Sequence, residues 1–314
     1  MTAASPAPAT ETAPATRGVK PLGLLAICAA ILCFSVSSSL IRKAGIPGPT
    51  TAFWRMVITN PVWWTILWVT ERSLPSPGDL KRLLIPGVLF GLNLTLFFEG
   101  VTRTSIANAE FIACLTPLLL VPAGAFFYKE RIIPKALLFG LVSIVGIAIV
   151  LFNVPSDDVA TWQGNLIVVG STFTWAGYLL TSRRLRATMS VQRIMASMMP
   201  IATLTVLPIV AARGALDDVT ASALPYIFGL ALLTGTLAHG FIVFAQHTVP
   251  VGTISLMQVA QPALAVAWAY VLLDQDIRGI QLLGMALVIG GLVAVVTMTR
   301  RATPLPEAVE VHDR

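Results

Sequence analysis

The stretch TSIANAEFIACLTP, residues 104–117, returns about 145 positions later as VPVGTISLMQVAQP, residues 249–262. Both copies are apolar and end on a proline, Pro117 and Pro262. Downstream, each copy continues into bulky apolar residues, an acidic position (Glu130 in one; Asp274 or Asp276 in the other) and a final apolar run. Those runs, GLVSIVG (140–146) and GMALVIG (284–290), carry glycines six apart. Upstream, FSVSSSLIRK (34–43) lines up with WAGYLLTSRR (175–184). The shared order at a near-constant offset reads as an internal duplication.

What is duplicated follows from composition. Of 314 residues, 56% are hydrophobic and 11% charged, where soluble proteins carry roughly 25% charged residues. So few charges cannot cover a water-facing surface. A helix needs about 20 apolar residues to cross the hydrocarbon core. Ten segments qualify, at approximately 22–41, 51–70, 83–101, 106–128, 135–152, 163–182, 194–212, 224–246, 252–273 and 280–299. The expected fold is therefore an all-α integral membrane protein, with ten transmembrane helices as two inverted five-helix repeats. Five is odd, so the second copy enters the bilayer from the opposite side, a plan shared by many secondary transporters. The expected organisation is a disordered cytoplasmic tail (1–20), a first repeat (21–152), an outer loop (153–162), a second repeat (163–301) and a cytoplasmic tail (302–314).

Lys and Arg set the orientation. With the N-terminus in the cytoplasm, fifteen of the 21 fall in inside segments, among them Arg72, Lys81, Lys129, Arg183 and Arg193. Five fall outside (Arg42, Lys43, Arg103, Arg213 and Arg278), and Arg55 lies within a span. Both termini are then cytoplasmic, in the cytoplasmic membrane. The net positive charge is explained without nucleic acid as a partner. The partners expected are the lipid bilayer and a small-molecule substrate. Trp54, Trp63, Trp64 and Trp68 give the second span aromatics near both ends, as interface anchors. Cys28, Cys33 and Cys114 lie in apolar runs and read as packing residues. No Walker loop or H-E-x-x-H motif occurs, so no cofactor, metal or ATP-driven step is expected.

The chain resembles EamA-type members of the drug/metabolite transporter superfamily. The resemblance rests on the five-plus-five layout, Arg55 within AFWRMVI, LTPLLL followed by FFYKERI, and WAGYLL in the sixth span. It covers roughly residues 22–300. It departs at LLDQD (272–276), where the family usually has a glycine–glutamate pair. The resemblance implies movement of small metabolites, amino acids or amphipathic compounds, with export favoured.

Intramembrane ionisable residues mark pathways in membrane proteins. Arg55, Glu99 and Glu110 are expected at similar depth in the outer third, with Arg55 neutralising one acid. The other acid would keep its proton and could couple proton movement to transport. Pro117 and Pro262 mark paired helix breaks that free the carbonyls of Ala113 and Gln258, the strongest pointer to a central site. Thr116 and Gln261 precede them. Asn93, Trp175, Tyr178, Gln258 and His239 complete the candidate substrate-binding or gating set. The alternatives are an uncoupled facilitator or exchanger and, more distantly, a lipid-acting membrane enzyme using Glu99, Glu110 and His239. The enzyme is disfavoured because His239 is expected toward the inner half, away from both acids.

Overall fold

The computed structural model describes residues 20–104, 106–152, 161–273 and 279–302. Nearly all of both expected tails and of the 153–162 loop, and Asp274 and Asp276, lie outside the described residues. The first half folds as α1 (Pro21–Ser35), α2 (Ser37–Ala44), α3 (Gly48–Glu71), α4 (Pro77–Arg103), α5 (Ile106–Ala113), α6 (Thr116–Tyr128) and α7 (Pro134–Leu151). The second half begins with α8 (Trp162–Leu185), α9 (Val191–Ala212) and α10 (Leu224–Gly229). A π-helix (Leu230–Ala238), α11 (His239–Ala245), α12 (Val251–Gln258), α13 (Gln261–Leu273) and α14 (Gly279–Ala302) follow.

Helices lie at each of the ten expected segments. Among the described residues, seven are long and apolar enough to span a bilayer, and Pro134–Ile149 forms a shorter apolar helix. The segments α3 and α8 run for 24 residues each, about 36 Å at 1.5 Å per residue. Polar, Trp and Arg residues lower their mean hydropathy below that of the seven.

Local chemistry explains the helix limits. At α4 the Ser76 hydroxyl accepts from the Asp79 amide at 3.1 Å, and the Asp79 carboxylate accepts from the Ser76 amide at 3.0 Å. This reciprocal cap satisfies two orphan donors. Gly45, at φ +64°, ends α2 in a left-handed conformation that costs glycine little. The expected proline breaks fall one step earlier than a mid-helix kink. Thr116–Pro117 and Gln261–Pro262 open new helices, α6 and α13, where a missing N–H costs nothing. The carbonyl expected to be freed at Ala113 accepts the Thr116 hydroxyl at 2.6 Å. The π-helix has no proline; its displaced carbonyls accept from the Thr59 hydroxyl (to Ala231, 3.3 Å) and the Trp63 indole (to Gly235, 3.3 Å). Trp54 and Trp64 likewise donate to backbone carbonyls of Leu216 and Ala196.

The two halves pack around a pseudo-two-fold. Corresponding helices pair with each other: α3 with α9 and α7 with α14. The pairing of α4 with α8 is matched by that of α1 and α2 with α10, the π-helix and α11. At one point a residue meets its own copy: Cys114 Sγ lies 3.7 Å from the carbonyl of Val259, 145 positions on. Ser143 Oγ lies 3.4 Å from the carbonyl of Val288, the neighbour of its counterpart Leu287.

One relation breaks the symmetry. Among the described residues α6 packs closely along α12, whereas the corresponding α13 and α5 touch far less. The α6–α12 end is fastened. Glu130 Oε1 and Oε2 accept from the Val251 and Gly252 amides at 3.1 and 3.4 Å, and Oε1 lies 3.1 Å from Arg183 Nη2. Arg183 also donates to the carbonyls of Gln246 and Val249, and its guanidinium sits 5.5 Å from the Tyr128 ring centroid. An anion at a helix N-terminus meets unsatisfied amides and the positive end of the dipole.

Candidate substrate-binding site

The two helix breaks, α5/α6 and α12/α13, meet at Cys114 and Val259 and together line a cavity completed by α3, α4, α8 and the π-helix. About 100 Å³ is open to the centre of a water-sized sphere. One water needs roughly 10–15 Å³ by that measure, so the space takes several waters or a small solute.

Of the residues singled out in the sequence, Arg55, Asn93, Glu110, Thr116, Trp175, His239, Gln258, Gln261 and Pro262 line it. Glu99, Tyr178 and Pro117 do not. Tyr178 is buried one layer out, 5.1 Å from the rings of Phe90 and Trp175. Pro117 is buried in the first turn of α6.

Glu99 corrects the expectation of a shared ion pair with Arg55. Its Oε1 accepts from Arg103 Nε at 2.7 Å and from Arg213 Nη1 at 2.9 Å, tying the end of α4 to the turn after α9. Among the described residues no ion pair includes Arg55 or Glu110. Arg55, only 2% exposed, holds its guanidinium 5.6 Å from the Phe98 ring centroid. A Cβ on Gly235 would lie 3.3 Å from its Nε and 2.5 Å from Thr59 Oγ1. Glycine is thus required where the π-helix passes the arginine. Glu110 accepts from the Ser38 hydroxyl through Oε1.

The expected separation of His239 from Glu110 also fails, because the two line the same cavity, whereas Glu99 lies outside it. The wider turns of the π-helix advance less per residue than an α-helix, so His239 sits shallower than a straight count places it. Its ring packs edge-on against Phe34 at 4.8 Å and Phe90 at 4.6 Å. Asn93 Nδ2 donates to the carbonyl and hydroxyl oxygens of Ser171, both at 3.0 Å, joining α4 to α8.

Six buried polar atoms around this cavity have no protein partner: Arg55 Nε and Nη2, Glu110 Oε2, both ring nitrogens of His239, and Gln258 Oε1. Both charges come from the first repeat. The second contributes neutral groups, with Ser255 at the position of Glu110 and Gln258 and Gln261 at those of Ala113 and Thr116. Sequence reasoning missed the aromatic wall of Phe34, Phe97 and Phe98 and the hydroxyls of Ser171, Thr172 and Thr234. Phenylalanines and lone hydroxyls are ordinary in apolar helices. Only the small-residue run TGT (234–236) hinted at a close approach. With a cation, an anion, neutral polar groups and aromatic faces, the cavity can hold a polar solute that also carries apolar surface.

Apolar helices in two repeats around a central polar cavity define a multi-pass membrane transport protein for small molecules. The chain belongs to the EamA-like transporter family, which matches residues 21–152 and 162–297. It is 24% identical over 91% of its length to "Uncharacterized transporter YetK" of Bacillus subtilis, covering 89% of that protein. It is 27% identical to "Pseudopaline exporter CntI" of Pseudomonas aeruginosa over 60% of this chain and 66% of that one. A "Probable amino-acid metabolite efflux pump" of Escherichia coli is 23% identical over 70% of this chain and 80% of that protein. A crystal structure, 18% identical, superposes with a TM-score of 0.76 over 90% of this chain and 99% of the other, a likeness of fold.

Proposed function

We propose that this protein is a secondary transporter that exports a small amphipathic metabolite, an amino acid or a relative of one, across the cytoplasmic membrane by alternating access. Its ten spans leave both termini in the cytoplasm. The observation that carries the reading is the set of six unpartnered polar atoms around one cavity at the paired helix breaks. Each such atom costs free energy in an apolar medium unless something satisfies it, and a polar solute would. Arg55 takes the anionic part of the solute, Glu110 and Gln258 its donors, and Phe97, Phe98 and Trp175 its apolar part.

The unequal packing of the two gates supports alternating access. The α6–α12 side, cytoplasmic by the Lys/Arg distribution, is closed by Glu130 and Arg183. The α5–α13 side is looser, so the conformation is outward-facing. Glu110, with one oxygen unpartnered and no ion pair among the described residues, is the group that carries a proton if transport is coupled. The relatives from Pseudomonas aeruginosa and Escherichia coli are named an exporter and a probable efflux pump, which favours the outward direction.

Counterflow in proteoliposomes tests this. Vesicles preloaded with each of a few dozen unlabelled amino acids and small amphipathic metabolites should show transient accumulation of labelled solute for one chemical group. That signal should fall at least tenfold in Arg55→Ala with the protein still folded. Absence of counterflow across the panel with well-folded protein, or full activity in Arg55→Ala, overturns the reading.

A further inference from the structure

A second cavity lies away from the transport site, on the outer flank of the bundle. The helices α1 and α3 stand on either side of the π-helix and α11, leaving a groove of about 780 Å³ by the measure that gives the central cavity about 100 Å³. Its walls are apolar: Leu25 and Ala29 of α1, Trp63 and Ile66 of α3, Phe241 and Phe244 of α11. Leu22 and Ala29 both line it, so it runs at least about 10 Å along α1, most of the roughly 15 Å depth of one leaflet's hydrocarbon.

One end of the groove is different in kind. Arg186 and Ser190, from the turn between α8 and α9, and Val191 and Gln192, which open α9, close it. Arg186 Nη1 donates to the Met189 carbonyl at 2.6 Å, but its Nε is buried with no partner. No carboxylate among the described residues pairs with it. The nearby acids are taken: Arg193 holds Glu71 through Nε at 2.9 Å and Asp79 through Nη1 at 3.0 Å, and Ser190 donates its hydroxyl to Glu71. The first turn of α9, 22 residues long, starts at the same spot, so the positive end of a helix dipole adds to the arginine. By the Lys/Arg distribution this is the cytoplasmic end, where the leaflet carries anionic lipid.

We propose that the groove binds an anionic phospholipid of the inner leaflet, one acyl chain along α1 and α11 and the phosphate on Arg186 and the first turn of α9. A chain explains the apolar walls, and a phosphate satisfies the buried Nε. A bidentate phosphate–guanidinium pair is among the strong charge-assisted contacts. The bound chain would rest against Trp63 and the π-helix, whose Gly235 accepts from the Trp63 indole and lies beside Arg55 of the transport cavity.

Native mass spectrometry of the delipidated full chain with added phosphatidylglycerol or phosphatidylcholine tests the proposal. The wild type should retain phosphatidylglycerol preferentially. Arg186→Gln should lose that preference, with phosphatidylglycerol retention falling about tenfold. Ala29→Trp, which fills the groove, should lower retention of both lipids. Phosphatidylglycerol, but not inorganic phosphate at the same concentration, should raise the Tm of the wild type, and this rise should vanish in Arg186→Gln. Unchanged phosphatidylglycerol retention in a folded Arg186→Gln protein, equal retention of the two lipids by the wild type, or an equal Tm rise with inorganic phosphate overturns it. None of these readouts depends on transport, so the lipid site stands or falls separately from the proposed function.

Discussion

Glu130→Gln should unfasten the closed gate. In the wild type the carboxylate accepts two backbone amides at the N-terminus of α12 and pairs with Arg183 at 3.1 Å. The side chains are only 20% (Arg183) and 10% (Glu130) exposed, so solvent screening removes little of the pair. Glutamine keeps an oxygen for one amide but loses the ion pair and the charge at the helix terminus. The terminus contributes about 0.3–1 kcal/mol, and the charged share of the hydrogen bonds about 1–2 kcal/mol, together roughly 2 kcal/mol. If the open gate loses these contacts, the equilibrium shifts toward it by roughly 30-fold. Cys114 reports the shift, because it lines the cavity and is a free thiol. With Cys28 and Cys33 replaced by alanine, a membrane-impermeant maleimide added from the cytoplasmic side of sealed vesicles should label Cys114 roughly 10–30 times faster in Glu130→Gln than in the parent. External labelling should slow. A cytoplasmic rate changed by less than twofold in folded protein would refute the assignment of Glu130 as the closure.

Glu110→Gln should abolish acceleration of transport by a pH gradient while leaving counterflow within about tenfold, since the amide keeps an acceptor for Ser38; unchanged gradient dependence would exclude Glu110 as proton carrier. Glycine-to-alanine changes at two sites should differ in sign. A Cβ on Gly48 meets the Phe98 carbonyl oxygen at 2.4 Å, whereas one on Gly290 meets nothing within 4 Å. Gly48→Ala should destabilise by about 1–3 kcal/mol and Gly290→Ala should stabilise by up to about 1 kcal/mol, both read by thermal unfolding in detergent. At the cytoplasmic end, partial burial pushes the Glu71 carboxyl up, but hydrogen bonds from Ser190 and Arg193 and the charge of Arg193 outweigh it and hold it below its ordinary value. A depressed carboxyl contributes stability that is present above its unfolded pKa and is lost as pH falls through the folded one. Below about pH 4 the wild type should therefore lose stability more steeply than Glu71→Gln.

Some of this site could be read along the chain and some could not, for identifiable reasons. The proline pairs gave the breaks because the missing N–H acts locally, and Arg55 and Glu110 stood out because charge inside an apolar run is expensive. Glu99 was misplaced by the same rule. Arg103, four residues on, is a helix-face partner visible in the sequence, and it holds Glu99 away from the cavity together with Arg213, whose approach depends on tertiary packing. A straight count through TGT sets His239 too deep, because no proline announces the π-helix. The aromatic wall was silent because a phenylalanine facing a cavity and one facing lipid look alike in sequence.

The cross-repeat packing also bears on how the chain is made. Gly87 and Gly91 of α4 let it lie against Ile201 and Ala202 of α9, where an added Cβ would come within 2.8 and 2.7 Å. Asn93 waits for Ser171 of α8. The end of α4 at Arg103 precedes the start of α9 at Val191 by 88 residues, roughly 4–18 s of synthesis at 5–20 residues per second. Throughout that interval the first half sits in the bilayer with its polar and glycine-lined faces uncovered, among lipids that cannot hydrogen-bond them. A nascent chain in that condition is a substrate for membrane proteases and insertases, so yield in the cell should depend on how quickly translation reaches α9 as much as on the stability of the finished fold.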